Sequence, residues 1–118
     1  MGSTLNMTNN THTSFLFVRK QHTLHRVLFK EICYIQAEGN YCYLKLIDGK
    51  KYASKISLRQ LLIKLPENDF VRIHKSYVVN LNYLEKIDTK ERQVYVADET
   101  LPVGRTFISS LTKLVTIL

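Results

Sequence analysis

The chain is short of the features that would make it an enzyme, a membrane protein or a disulfide scaffold. It has two cysteines, Cys33 and Cys42, at a spacing that makes no CxxC pair. Both sit inside strand-like apolar runs, so they read as free buried thiols of a reducing compartment. No apolar run approaches the ~20 residues of a membrane span, and no leader pattern opens the chain. The expected location is therefore cytoplasmic, with no membrane partner. A phosphate-binding Gly loop, a nucleophile elbow and a paired-carboxylate cluster are all missing. His22 and His25 are three apart, but on a strand they would face opposite sides, and no further ligands lie in sequence reach. A Cys33–His74 pair would need a spatial accident. These absences argue against catalysis, a metal and a cofactor.

Acidic residues are also scarce: 10 Asp and Glu face 17 Lys and Arg, a net charge of +7. In a chain of 118 residues, one domain's worth, that excess points to a polyanionic partner, nucleic acid before membrane. A merely basic soluble surface is the competing explanation. The apolar share of 45% is enough for folding without metal or disulfide help. Residues 1–13 are Ser/Thr/Asn-rich and aperiodic, and read as a disordered lead-in or linker. Residues 14–118 form the expected domain.

Within that domain the pattern is mostly that of strands. Phe15–Val18 and Leu24–Leu28 flank a polar turn, and Phe29–Ile32 reads as a tight turn. Cys33–Ala37 precedes the turn Glu38-Gly39-Asn40. From Tyr41 to Leu46 the sequence alternates, with Cys42, Leu44 and Leu46 on one face. Asp48-Gly49 signals a hairpin into Lys51–Lys55. Ser57 and Gln60 form a capping box for a helix striped by Leu58, Leu61, Leu62 and Leu65 and stopped by Pro66. Its apolar stripe marks it as a lid on the core, not a recognition helix. Leu84–Asp88 and Gln93–Ala97 make another hairpin. A turn at Asp98-Glu99 leads to an edge strand, Leu101–Val103, where Pro102 is tolerated. Thr106 is the expected cap of a last helix whose apolar face runs from Phe107 to Leu118. The fold class is mainly β, with one or two short helices.

Between two β-branched runs, Phe70–Ile73 and Tyr77–Val79, stand His74, Lys75 and Ser76. A packed core would not hold a cation, an imidazole and a hydroxyl without partners. Together with Glu38-Gly39-Asn40-Tyr41, Leu65-Pro66 and Leu101-Pro102-Val103-Gly104-Arg105, the stretch from Phe70 to Asn80 resembles the LytTR domain. That is the DNA-binding output domain of the LytR/AlgR class of bacterial response regulators. The likeness covers the chain from about Phe15 to its end.

The resemblance implies an elongated stack of small antiparallel sheets, with loops entering successive major grooves at promoter direct repeats. It places Asn40, Tyr41, Lys75, Arg105 and Thr106 on the DNA-facing loops. It also implies a second copy on DNA, and a receiver domain or sensor kinase where the domain belongs to a longer regulator. Two positions depart from the pattern: Lys75 stands where Arg is usual, and Gly104 where Ser is usual. Lysine offers a point charge in place of a bidentate fork, which suits a phosphate contact.

The residues support the same division of labour. Asn40 and Arg105 have the directional donors that reading base edges requires. Asn40 could equally cap a local turn, and Arg105 could be a solvated cation. Lys75, Lys90 and Arg92 suit phosphate contacts, which give affinity and register; Lys90 and Arg92 read as readily as turn charges. Arg72, His74, Ser76 and Asn80 alternate with buried neighbours, and are either structural ties or DNA-proximal groups. Two rivals stand beside double-stranded DNA: a single-stranded nucleic-acid or RNA binder stacking bases on Tyr41 and Tyr43, and a protein-interaction module on the same fold.

Overall fold

The computed structural model describes Ser14–Leu118. The lead-in expected over residues 1–13 lies outside the described residues. The chain forms β1 (Phe15–Lys20), β2 (Thr23–Leu28), β3 (Ile32–Glu38), β4 (Tyr41–Leu46) and β5 (Lys51–Ser54), then α1 (Leu58–Ile63). It continues through β6 (Phe70–His74), β7 (Tyr77–Asn80), β8 (Leu84–Asp88), β9 (Gln93–Val96), β10 (Glu99–Pro102) and α2 (Ile108–Leu114). The strands make three sheets: the two-stranded β1-β2, the five-stranded β5-β4-β3-β7-β6 and the three-stranded β10-β9-β8. The described body is elongated, 51 × 33 × 24 Å.

The five-stranded sheet is the middle layer, and its side chains divide between two cores, alternating along β4 and β7 and shifted on β3 by an irregularity between Ile32 and Tyr34. Ile32 and Ile35 of β3, Leu44 of β4 and Val78 of β7 pack toward β1-β2 and α1, with Phe29, Leu58, Leu61 and Leu65. Cys33, Ile73 and Val79 point the other way, toward β8-β9-β10 and α2, meeting Val94, Val96, Leu101 and Leu111. Cys33 and Cys42 thus belong to different cores and cannot meet. Helix α1 is capped as its sequence demands. The Gln60 N–H donates to Ser57 Oγ at 3.1 Å, and the Gln60 side chain accepts from the Ser57 N–H.

One polar side chain is buried with these apolar ones. Asn80 is 1% exposed; its Nδ2 donates to the Ile32 carbonyl at 2.9 Å, and its Oδ1 accepts the Asn82 N–H at 2.9 Å. It ties the end of β7 to the start of β3, three links for one side chain once Asn82 Nδ2 is included.

Two expectations need correction. The turn placed at Asp98-Glu99 lies at Ala97-Asp98, both left-handed (φ 48° and 69°), and β10 begins at Glu99, with Val103 past its end. The hairpin closes by pairing Val96 with Glu99 across a two-residue turn with both central residues at positive φ, the type I′ geometry. Thr106 does not cap the last helix: Phe107 occupies the cap position without a side-chain bond. The helix ends at Leu114, Val115 is extended, and Leu114, Ile117 and Leu118 are exposed. Val115-Thr116-Ile117 are β-branched in succession and lose side-chain freedom in a helix. Only Leu111 of this helix is fully buried, so little packing opposes that loss.

Asn80→Ala is expected to lower the unfolding free energy by about 1–3 kcal/mol in urea titrations, because it orphans the Ile32 carbonyl. Burial pushes both thiols upward from their ordinary range, against weaker pulls from Lys45 on Cys33 and Arg72 on Cys42. The folded state therefore keeps these protons longer than the unfolded chain does. Their contribution to stability is intact below roughly pH 8.5 and is lost as pH rises through the folded values. Alkylation of the native protein at neutral pH should be slow at both cysteines and become fast in urea; rapid native labelling of either would contradict their burial.

Candidate nucleic-acid interface

The loops singled out in the sequence are built by hairpin geometry. Gly39-Asn40 is a two-residue turn closed by the Glu38–Tyr41 pair, with Gly39 left-handed (φ 61°). It holds Asn40 in solvent and leaves Tyr41 44% exposed. The β6–β7 turn carries Lys75 and Ser76. Its register shifts between Arg72 and His74, so His74 pairs with Tyr77. Imidazole Nδ1 of His74 accepts the Ser76 N–H at 3.0 Å, and the ring lies edge-on to Tyr77. Arg72 reaches along the turn and donates Nε–H to the His74 carbonyl at 3.2 Å and Nη2–H to the Lys75 carbonyl. Lys75 is thus an exposed cation on a turn whose two carbonyls are held by a guanidinium.

The segment after β10 is pressed against that turn. The Gly104 N–H donates to the Ile73 carbonyl at 2.7 Å, and the Phe107 N–H returns to the Gly104 carbonyl at 2.9 Å. A Cβ at Gly104 would stand 2.8 Å from the Phe107 ring and 3.7 Å from His74 Cα, which leaves little room for any side chain there. Arg105 and Thr106 follow directly and are exposed. In the β8–β9 turn Asp88 Oδ1 accepts the N–H groups of Lys90 (3.1 Å) and Glu91 (2.8 Å), and Arg92 is left-handed. Its carbonyl accepts the Val103 N–H at 2.9 Å.

These backbone bonds place four loops in a row. Arg92–Val103 joins the β8–β9 turn to the segment carrying Arg105, and Gly104–Ile73 joins that segment to the Lys75 turn. The Ala37 N–H donates to the Ser76 carbonyl at 2.8 Å, joining the Lys75 turn to the Asn40 hairpin. Asn40, Tyr41, Arg72 and Lys75 line one open concavity. Lys90 lies off that concavity, in a shallower one with Lys86 and Tyr95. Asn80 is at the far end of β7 from the Lys75 turn and is buried.

The structure adds one cation that the sequence did not suggest. Lys55, between β5 and α1, lines the concavity of Asn40 and Lys75. The pairing of Cys42 with Ser54 carries the chain past Tyr41 at the next position. Among the described residues, no group of three or more His, Cys, Asp or Glu is placed to hold a metal. Nor is any helix among them long and apolar enough to cross a membrane.

A family model, the LytTr DNA-binding domain, matches residues 22–116. The sensory transduction protein LytT of Bacillus subtilis is 34% identical over 89 residues, 72% of this chain and 36% of that protein. An uncharacterized response regulatory protein of Vibrio cholerae is 31% identical over 97 residues, 77% of this chain and 37% of its own length. The chain thus spans little more than a third of these relatives. A solved LytTr DNA-binding domain from Bacillus cereus superposes with a TM-score of 0.77 at 25% identity, covering 89% of this chain and 99% of that one.

Proposed function

This chain belongs to the LytTr DNA-binding domain family, and on that premise we propose that it binds double-stranded DNA sequence-specifically to regulate transcription. It would serve as the output part of a response regulator, reading promoter direct repeats with a second copy bound alongside. The observation that carries this reading is the row of four loops bonded backbone to backbone. Directional side chains, Asn40 and Arg105, stand on either side of the Lys75 turn. Point charges at Lys75, Lys90 and Arg92 provide for phosphates.

A base-stacking reading finds less support. Tyr41 is exposed, but Tyr43 is half-buried beneath the Lys51 ammonium, 5.1 Å from its ring centroid. Tyr34 and Tyr77 are paired with each other elsewhere on the sheet. Successive bases would lack a continuous aromatic platform.

Selection of bound duplexes from a random pool is expected to recover a motif repeated at multiples of roughly 10 base pairs. On that duplex Arg105→Ala should weaken binding by about 1–3 kcal/mol and relax the preferred base at its position, measured by fluorescence anisotropy. Unchanged affinity in that variant would remove Arg105 as a reader. Lys90→Ala should weaken all duplexes by a similar factor, without altering the selected motif.

A further inference from the structure

We infer, resting on the proposed binding of duplex DNA, that the phosphate track continues past the Lys75 turn into the concavity beside α1, where Lys55 contacts a backbone phosphate. The walls of this concavity include Lys55, Arg72 and Lys75 and no carboxylate; Asn40, Ser57 and Gln60 supply neutral polar groups. Gathering three cations in one hollow costs self-repulsion that an anion relieves, and a concave low-dielectric wall concentrates the field. The fold itself provides no relief there: among the described residues the one ion pair is Lys50–Asp48, on the β4–β5 turn.

Arg72 links the two parts of the track. Two of its five N–H donors hold the His74 and Lys75 carbonyls, and the others remain for the hollow. Lys55 is exposed and hydrated, on a flexible stem, which suits a sequence-independent phosphate contact over a base contact. The neighbouring concavity shares Arg72 and holds Arg59, but it includes Glu67 and an apolar wall of Leu62, Ile63 and Leu65. A phosphate there would meet a carboxylate, so the track ends before Arg59.

The test is the salt dependence of binding to a duplex of roughly 30 base pairs of arbitrary sequence, which reports phosphate contacts alone. Lys55→Gln should make the slope of log K against log salt shallower by about 0.9. Arg59→Gln should leave the slope at the wild-type value, and the thermal midpoint of both variants should match wild type. A wild-type slope in Lys55→Gln, with Lys75→Gln made shallower, would overturn the extension and leave the duplex reading standing. An Arg59→Gln slope reduced as much as that of Lys55→Gln would also overturn it. A wild-type chain that binds no duplex at all would overturn both.

Discussion

Two-sided burial of β3 and β7 is the constraint on which the rest of the molecule depends. Ile32, Ile35 and Val78 must face one core while Cys33 and Val79 face the other. A slip of one residue would send each side chain to the opposite layer, so pairing register is strongly specified. Register in turn fixes where the strands end. Glu38 at the end of β3 and His74 at the end of β6 bring their turns to one edge because Gln36 pairs with Tyr77 and Val71 with Val79. At the other end of β7, Asn80 enforces the same alignment with a hydrogen bond that a shifted strand would lose.

On that edge, order is set by backbone bonds and by Arg72, and chemistry by side chains that are free to point outward. The guanidinium holds the carbonyls of residues 74 and 75, and the His74 ring accepts the following N–H, so the Lys75 turn is fixed before any partner arrives. Ordering a loop on binding consumes part of the contact energy, and a loop already held avoids that loss. Lysine in place of arginine at the tip then keeps the long-range attraction while giving up bidentate geometry. On the proposed reading, directional recognition is then left to Asn40 and Arg105.

The sequence announced those features that rest on local chemistry. Ser57 and Gln60 cap α1, Asp48-Gly49 and Gly39-Asn40 turn hairpins, and alternation along β4 puts Cys42, Leu44 and Leu46 inward as expected. Features set by tertiary context were hidden. The Ala97-Asp98 turn adopts left-handed geometry without glycine, held by the pairing of β9 with β10. The apolar residues from Phe107 to Leu118 suggest a long buried face, but Leu111 is the one fully buried residue of α2, with Phe107 and Ile108 only partly buried against the core. Lys55 could not be placed from spacing. An Asp48-Gly49 turn of two residues would pair Ile47 with Lys50, whereas the observed ladder pairs Lys45 with Lys51, one residue out of that register. From the sequence His74 and Arg72 suit either a structural tie or a DNA-proximal group; in the structure both make hydrogen bonds within the turn.

If the chain reads DNA as proposed, the arrangement also constrains how one copy can discriminate among sequences. The Asn40 hairpin is bonded to one side of the Lys75 turn and the Arg105 segment to the other. Directional side chains and point charges therefore alternate along the edge, unlike the single cluster that a helix inserted lengthwise in a groove presents. On the proposed reading, a single domain would recognise two short patches of bases separated by a stretch held only through its backbone. Few directional contacts per copy give modest specificity, since each good base contact contributes only ~1–3 kcal/mol of discrimination. Sharper selectivity then has to come from a second copy at fixed spacing or from the shape of the intervening DNA. An elongated body of three sheets, 51 × 33 × 24 Å, is compatible with both.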